Sequence, residues 1–301
     1  MKLLITTPAP HIRSKDSTQS IMLDVIIALI PALVASVVIF GIQALAVTAV
    51  CVAAAVFSEL IFEWATKKPI TISDLSAVVT GLLLAFCLPV LQVKDLWIAA
   101  LGSVIAIVVV KQLFGGIGQN FANPAITARV VLLISFSDIM TTWTIDGVSA
   151  STPLAEGAVS PGLTGMLLGK HAGCLGETCA AALLIGGIYL LIRKVISWHI
   201  PVAYLGTVAI VSLAAGQDLT IQLLGGGLLL GAFFMATDYT TSPMTNEGKL
   251  LYGVGCGVLT MMIRLWGATP EGVSYAILLM NILTPHIDKL TIHTALGGDV
   301  K

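Results

Sequence analysis

The sequence predicts an all-α integral membrane protein with about ten transmembrane helices, and three observations carry that fold class. Of 301 residues, 57% are hydrophobic and 10% charged, with a mean hydropathy of +0.99. A soluble core of this size cannot hide so much apolar surface. Apolar runs of about 20 residues, the helix length that crosses about 30 Å of hydrocarbon, recur along the chain. The basic residues then divide unevenly between alternate connections. Lys2, Arg13, Lys15, Lys67, Lys68, Lys111, Arg129, Arg193, Lys194, Lys249, Lys289 and Lys301 fall on one side, against Lys94, Lys170 and Arg264 on the other. That asymmetry places both termini in the cytoplasm. A net charge of −1 without any basic block argues against nucleic acid and leaves membrane lipid as the surrounding partner.

In chain order, residues 1–20 are polar and mixed in charge, which predicts a cytoplasmic N-terminal segment rather than a removable signal peptide. The first five spans, within 21–142, are expected at 21–40, 43–63, 74–90, 96–114 and 124–142. A long extracytoplasmic loop, 143–177, separates helices 5 and 6. The second group, within 178–290, is expected at 178–195, 200–215, 221–238, 249–266 and 273–290, and 291–301 forms a cytoplasmic tail. Pro31, Pro89, Pro201 and Pro285 interrupt several spans, and such helices need protein or cavity water to satisfy the freed backbone groups. The five-plus-five division suggests two inverted five-helix repeats. Gly81–Phe86 echoes Gly227–Phe233, and the polar proline turns Asn123-Pro124-Ala125 and Ser242-Pro243-Met244 follow them, although the two offsets, 146 and 119, differ. Within the loop, Leu163–Leu168 reads as a short interfacial helix and the rest as irregular chain.

The stretch Trp143 to Leu154 gathers the hydroxyls of Thr144, Ser149, Ser151 and Thr152 around Asp146 before Pro153 stops any helix. It reads either as an exposed Asx or Ser/Thr turn that presents a threonine oxygen outward or as an ordinary interhelical loop. Between spans four and five, Asn120 and Asn123 flank Phe121. Two carboxamides at this spacing can bond the carbonyl edge of a flat ligand while Phe121 packs on its ring, and the preceding glycines admit close approach. Asn123 before Pro124 is equally a helix start signal.

Asp238 closes an apolar run ahead of four hydroxyl residues, Tyr239 to Ser242, and is either an interfacial cap or a functional acid. Asp24, Glu59, Glu63 and Asp74 pose the same question at cytoplasmic helix ends, and Glu63 with Lys67 reads as a surface pair. Asp24 and Asp238 form the candidate ion pathway. Cys51, Cys87 and Cys256 read as inert buried thiols. Cys174 and Cys179 are taken as free, with pairing or a metal role left open. The five histidines lack metalloprotease spacing, and no nucleophile elbow or phosphate loop occurs, so no metal or hydrolytic residue is assigned. The glycine runs 115–116, 186–187 and 225–227 read as close helix-packing sites.

Several motifs carry a family resemblance. Asp146-x-x-Ser149-Ala150-Ser151-Thr152 resembles the signature at which flavin transferases attach FMN to threonine through a phosphoester, with Ala150 and Ser151 where the family usually has Gly-Ala. Pro10-His11-Ile12-Arg13, Gly116 to Ala125 and Ala236 to Pro243 extend the likeness. Together they are similar to the family that includes the RnfD protein of the Rnf ion-translocating electron transport complex and, more distantly, the NqrB protein of the sodium-pumping NADH:quinone oxidoreductase. The resemblance implies a flavoprotein subunit of a ferredoxin:NAD oxidoreductase in the prokaryotic inner membrane, not catalytic alone, that couples electron transfer to Na⁺ or H⁺ movement. It implies covalent FMN on Thr152, with Asp146 and Ser149 as recognition residues, and a noncovalent riboflavin at Asn120 and Asn123. The implied partners are the other Rnf subunits, including a second covalent-FMN subunit, and a flavin transferase. A secondary transporter with its site at broken helices, or a passive scaffold, are the rival readings.

Overall fold

The computed structural model describes residues 17–145, 148–150, 152–154, 162–267 and 271–292. Asp146 lies outside the described residues, and Ser149 is described only through its backbone. Helix α1 (Thr18–Phe40) opens on a reciprocal cap. The Ser17 hydroxyl accepts from the Ser20 amide at 3.1 Å, and the Ser20 hydroxyl accepts from the Ser17 amide at 2.9 Å, which satisfies two donors that a helix start leaves free. Pro31 lies inside α1 without ending it. Helix α2 (Ile42–Ala65) follows directly. Both are long and apolar enough to cross a bilayer, as are Val93–Gln112 and Asn246–Trp266. Large apolar side chains such as Val38, Ile42, Ile192 and Ile210 stay exposed on the outer surface of the bundle, as lipid or an apolar partner surface allows and water does not. The chain is a multi-pass membrane protein.

Three expected spans are shortened or broken. Helix α3 (Ser76–Phe86) has 11 residues, or about 16 Å, half of the hydrocarbon thickness. It begins at Leu75, held in the left-handed region at φ 64°. Its C-terminal carbonyls at Phe86 and Leu88 accept from the amides of Gly176 and Leu175, each at 3.0 Å. Part of the expected outer loop therefore folds back into the bundle, because a helix ending there has no water for its last carbonyls.

Helix α4 (Leu96–Val104) continues through wider i→i+5 turns over Ile105–Gln112. Helix α5 (Pro124–Ser135) and the short α6 (Ser137–Met140) replace the single expected span 124–142. A hairpin, β1 (Trp143–Ile145) with β2 (Val148–Ala150), occupies a segment expected as irregular loop, so the chain is not strictly all-helical. Helix α7 (Gly162–Leu168) lies where a short helix was expected.

Helices α8 (Ala180–Ile192) and α9 (His199–Ala214) follow, with Pro201 in the first turn of α9, where its missing N–H costs nothing. The eighth expected span is broken at Gly225–Gly227 into α10 (Leu219–Leu224) and α11 (Leu228–Leu230), the latter extended by i→i+5 turns over Gly231–Met235. Gly226 and Gly227 both have positive φ, so this glycine run breaks a helix rather than packing two. The Arg264 guanidinium donates to the freed carbonyls of Gln222 at 2.6 Å and Gly225 at 2.9 Å. Helices α12 (Asn246–Trp266) and α13 (Val273–Thr291) complete the bundle, and Pro285 sits inside α13 without breaking it.

The succession of elements repeats. Ser76 and Leu228 open the short helices α3 and α11, 152 residues apart; Leu96 and Asn246 open α4 and α12, 150 apart; Pro124 and Val273 open α5 and α13, 149 apart. Helix α2 packs on α4 as α9 packs on α12, and the halves join where α1 meets α8 and α5 meets α13. The first junction is close because Gly186 lacks a side chain: a Cβ there would lie 2.1 Å from the Ala28 carbonyl oxygen.

Candidate functional site

A cavity of about 100 Å³ lies where the two halves converge. The starts of α1, α3 and α5, the ends of α4 and α8, and the chain leaving α11 line it. Its apolar wall includes Met22, Val79, Leu83, Phe233 and Phe234, and its polar groups include Ser76, Thr80, Lys111, Asn120, Asn123, Asp238 and Thr240. A mostly apolar cleft with a few convergent polar groups is the usual form of a small-molecule site.

The structure thus brings Asn120 and Asn123 together with Asp238, which lies far along the chain, but their roles differ. Asn123 caps α5, its side-chain oxygen accepting from the amides of Ala125 at 3.0 Å and Ile126 at 3.3 Å, while its amide nitrogen donates to the Met235 carbonyl at 3.3 Å. Both ends of that carboxamide are committed to the fold. The Asn120 Oδ1 atom, in contrast, is buried without a hydrogen-bond partner, and a buried acceptor in that condition favours a ligand donor. Phe121 is not among the residues lining the cavity and packs against Phe114, the ring centroids 4.8 Å apart and the planes tilted by 50°. Asp238 accepts from the amide of Thr240 at 3.3 Å and its hydroxyl at 3.0 Å.

Asp24 lies outside this cavity. It accepts from the Tyr189 hydroxyl at 2.8 Å and pairs with Arg193 at 3.0 Å, tying α1 to the end of α8. Glu63 is not a surface partner of Lys67. It is buried, with its carboxylate bonded to the Thr71 amide at 2.9 Å, to the Thr71 hydroxyl, and at 3.4 Å to Gln112. Beside it Lys111 reaches Glu59 at 2.5 Å, both fully enclosed.

A second buried polar group links Arg129 of α5 with Glu271, just ahead of α13. Arg129 also lies 3.4 Å from the Cys174 sulfur, and Glu177 accepts from the Cys174 amide at 2.8 Å. Cys174, Glu177 and Glu271 could present their ligand atoms within 4.8 Å of one another, but the adjoining guanidinium already supplies the positive charge. Cys174 and Cys179 are both free thiols. Burial and the neighbouring Glu177 push the Cys174 thiol up, which disfavours the thiolate.

Sequence reasoning does not foresee these ion pairs, yet a signal exists. Glu59, Lys111 and Arg129 are charges inside apolar runs, which persist only when paired. Lys111 and Arg129 stand among the twelve basic residues that orient the chain. As buried pair partners they say little about sidedness, which leaves ten against three.

Thr152 is buried, only 3% exposed, rather than presented outward. Its Oγ1 has no hydrogen-bond partner among the described residues. Nearby, Leu154 lies against Gly225 and Gly226, so this segment covers the break between α10 and α11.

Residues 5–297 match the NQR2, RnfD, RnfE family. The chain belongs to that family. It is 50% identical over 299 residues to the D subunit of the Na(+)-translocating ferredoxin:NAD(+) oxidoreductase complex of Acetobacterium woodii, covering 96% of this chain and 93% of that protein. It is 43% identical to the D subunit of the proton-translocating ferredoxin:NAD(+) oxidoreductase complex of Clostridium ljungdahlii, with 94% and 93% covered. It is 37% identical to the D subunit of the ion-translocating oxidoreductase complex of Marinobacter nauticus, with 96% and 94% covered. The first two relatives are named for different ions although both align along nearly their whole length.

Proposed function

We propose that this chain is the D subunit of a ferredoxin:NAD oxidoreductase complex that couples electron transfer to Na⁺ or H⁺ translocation, with ten passes through a prokaryotic inner membrane and both termini cytoplasmic. The observation that carries this reading is the 50% identity to the Acetobacterium woodii protein along 96% of the chain. A mostly apolar cavity with a few convergent polar groups, at the convergence of two similar halves, supports it, since a bound redox group needs such a place.

In this reading FMN is held on Thr152 through a phosphoester, with Asp146 and Ser149 recognised by the transferase, and riboflavin occupies the cavity against Asn120. The Thr152 hydroxyl fits the first role because nothing among the described residues uses it; its burial means that the segment must open for attachment. The unpartnered Asn120 oxygen fits the second. A flavin would supply stepwise electron transfer, accepting electrons in pairs and releasing them singly. The chain's own contribution is positional: the short helices α3 and α11 bring polar backbone and side chains to the cavity, the apolar wall limits water, and Asn123 fixes the start of α5 against Met235. Asp238, on the cavity wall, is the acid placed for ion passage, with Asp24 as the charge that fastens α1 to α8.

Denaturing electrophoresis of membranes tests the covalent link. This band should fluoresce under ultraviolet light, and Thr152→Ala should abolish the signal. A dark wild-type band would remove the FMN assignment and favour a transporter or scaffold role.

A further inference from the structure

Lys111 is the one cationic side chain on the wall of the cavity among the described residues, and Asp238 is the one anionic side chain. Two of the three ammonium donors are spent, on Glu59 Oε1 at 2.5 Å and on the Ser76 hydroxyl at 2.5 Å, which leaves one for a ligand. Behind the lysine runs a chain of groups. Gln112 donates to Glu59 at 2.7 Å and to Glu63 at 3.4 Å, Glu63 meets exposed Thr71, and the Ser76 hydroxyl donates to Asp74 at 2.6 Å. The second oxygen of Glu59 is buried without a partner.

An ion pair enclosed this deeply is not a device for stability, because apolar side chains of equal volume serve a fold as well or better. A fixed ammonium beside an electron acceptor has a specific effect: it favours the form that carries more negative charge. The spare Lys111 donor calls for an acceptor on the ligand, and the unsatisfied Asn120 oxygen on the same cavity calls for a donor; the imide edge of an isoalloxazine carries both a carbonyl and an N–H, whereas a quinone offers acceptors alone.

We propose that Lys111, its charge balanced by Glu59, is the residue that sets the reduction potential of a flavin in this cavity. The inference rests on the reading that the cavity holds a noncovalent flavin. Lys111 acts by position and charge, and the Glu59 carboxylate offsets it.

The test uses the whole complex purified from native membranes, with noncovalent flavin counted per complex and its midpoint potential taken by redox titration of absorbance. Glu59→Gln keeps shape and leaves the ammonium without its counter-charge, so the potential should rise. Adding Lys111→Met to Glu59→Gln should lower it below that single variant by at least the equivalent of a tenfold change in the reduced-to-oxidised ratio, about 59 mV for a one-electron couple. Lys111→Arg, which keeps the charge, should stay near wild type. A merely structural role would not produce shifts of opposite sign. Unchanged potentials in variants that retain the flavin overturn the inference about Lys111. Wild-type complex without noncovalent flavin overturns the cavity reading itself, and this proposal with it. If the double variant fails to assemble, Glu59→Gln decides alone: a potential that rises supports the proposal, and one that stays or falls refutes it.

Discussion

Arg129 on α5 and Glu271, two residues ahead of α13, form an ion pair that spans the junction between the two halves of the chain. Both are buried, and neither has bulk water to fall back on. Removing one partner leaves a desolvated charge, which costs about 3–5 kcal/mol. Glu271→Gln should therefore lower the thermal midpoint of the detergent-solubilised protein sharply, and Arg129→Met combined with Glu271→Leu should recover part of the loss. A Glu271→Gln protein as stable as wild type would refute the argument.

The α1–α8 junction depends on a missing side chain. At Gly186 a Cβ would meet a backbone oxygen of α1, which cannot rotate away. Gly186→Val should cost at least about 1–3 kcal/mol of overpacking, visible as reduced folded yield on size exclusion. Substituting Gly206, where a Cβ meets nothing within 4 Å, should have little effect.

Thr152→Ala separates folding from cofactor attachment. Because its hydroxyl bonds to nothing among the described residues, removing it breaks no hydrogen bond, and the apoprotein should lose only what the buried methyl contributes, about 1 kcal/mol. Flavin fluorescence should nevertheless vanish. A large loss of stability in protein expressed without flavin transferase would show that the hydroxyl has a structural partner.

His171 supplies a pH dependence. Burial holds its imidazole below the ordinary range, offset only in part by the Gly165 backbone. The folded protein therefore binds fewer protons than the unfolded chain just below the usual histidine value of about 6.5, and stability is lost as pH falls from there toward the folded value. Thermal midpoints measured between pH 7.5 and 5, all chosen about the ordinary imidazole value, should fall less steeply in His171→Leu than in wild type.

Much of this architecture was legible in the chain, because lipid leaves few options for twenty consecutive apolar residues. The segments that failed were those where hydrophobicity and continuity part company. Leu75 to Leu91 and Leu219 to Met235 are as greasy as any span, yet they form short helices whose ends are satisfied by Leu175, Gly176 and Arg264. Those partners lie about 40 to 90 residues away and leave no periodic mark. The proline interruptions erred in the other direction, since Pro31 and Pro285 are absorbed within their helices.

The site was legible in part. Asn120, Asn123 and Asp238 stand out in the sequence and do share a cavity, but only the fold shows that Asn123 is committed to capping α5 while Asn120 is not. Lys111 escapes notice because a basic residue near a helix end looks like a topology signal. Its partner Glu59 stands 52 positions earlier, beyond any local pattern.

The i→i+5 turns of Ile105–Gln112 leave a deletable increment in the fourth helix. Each such turn holds a residue more than an ordinary helical turn requires. Excising one residue from that run would let it relax to regular winding with little change of phase beyond it, whereas the same excision from the regular turns of α4 would swing everything beyond by about 100°, carrying the ammonium off the cavity wall without changing the chemistry of any side chain.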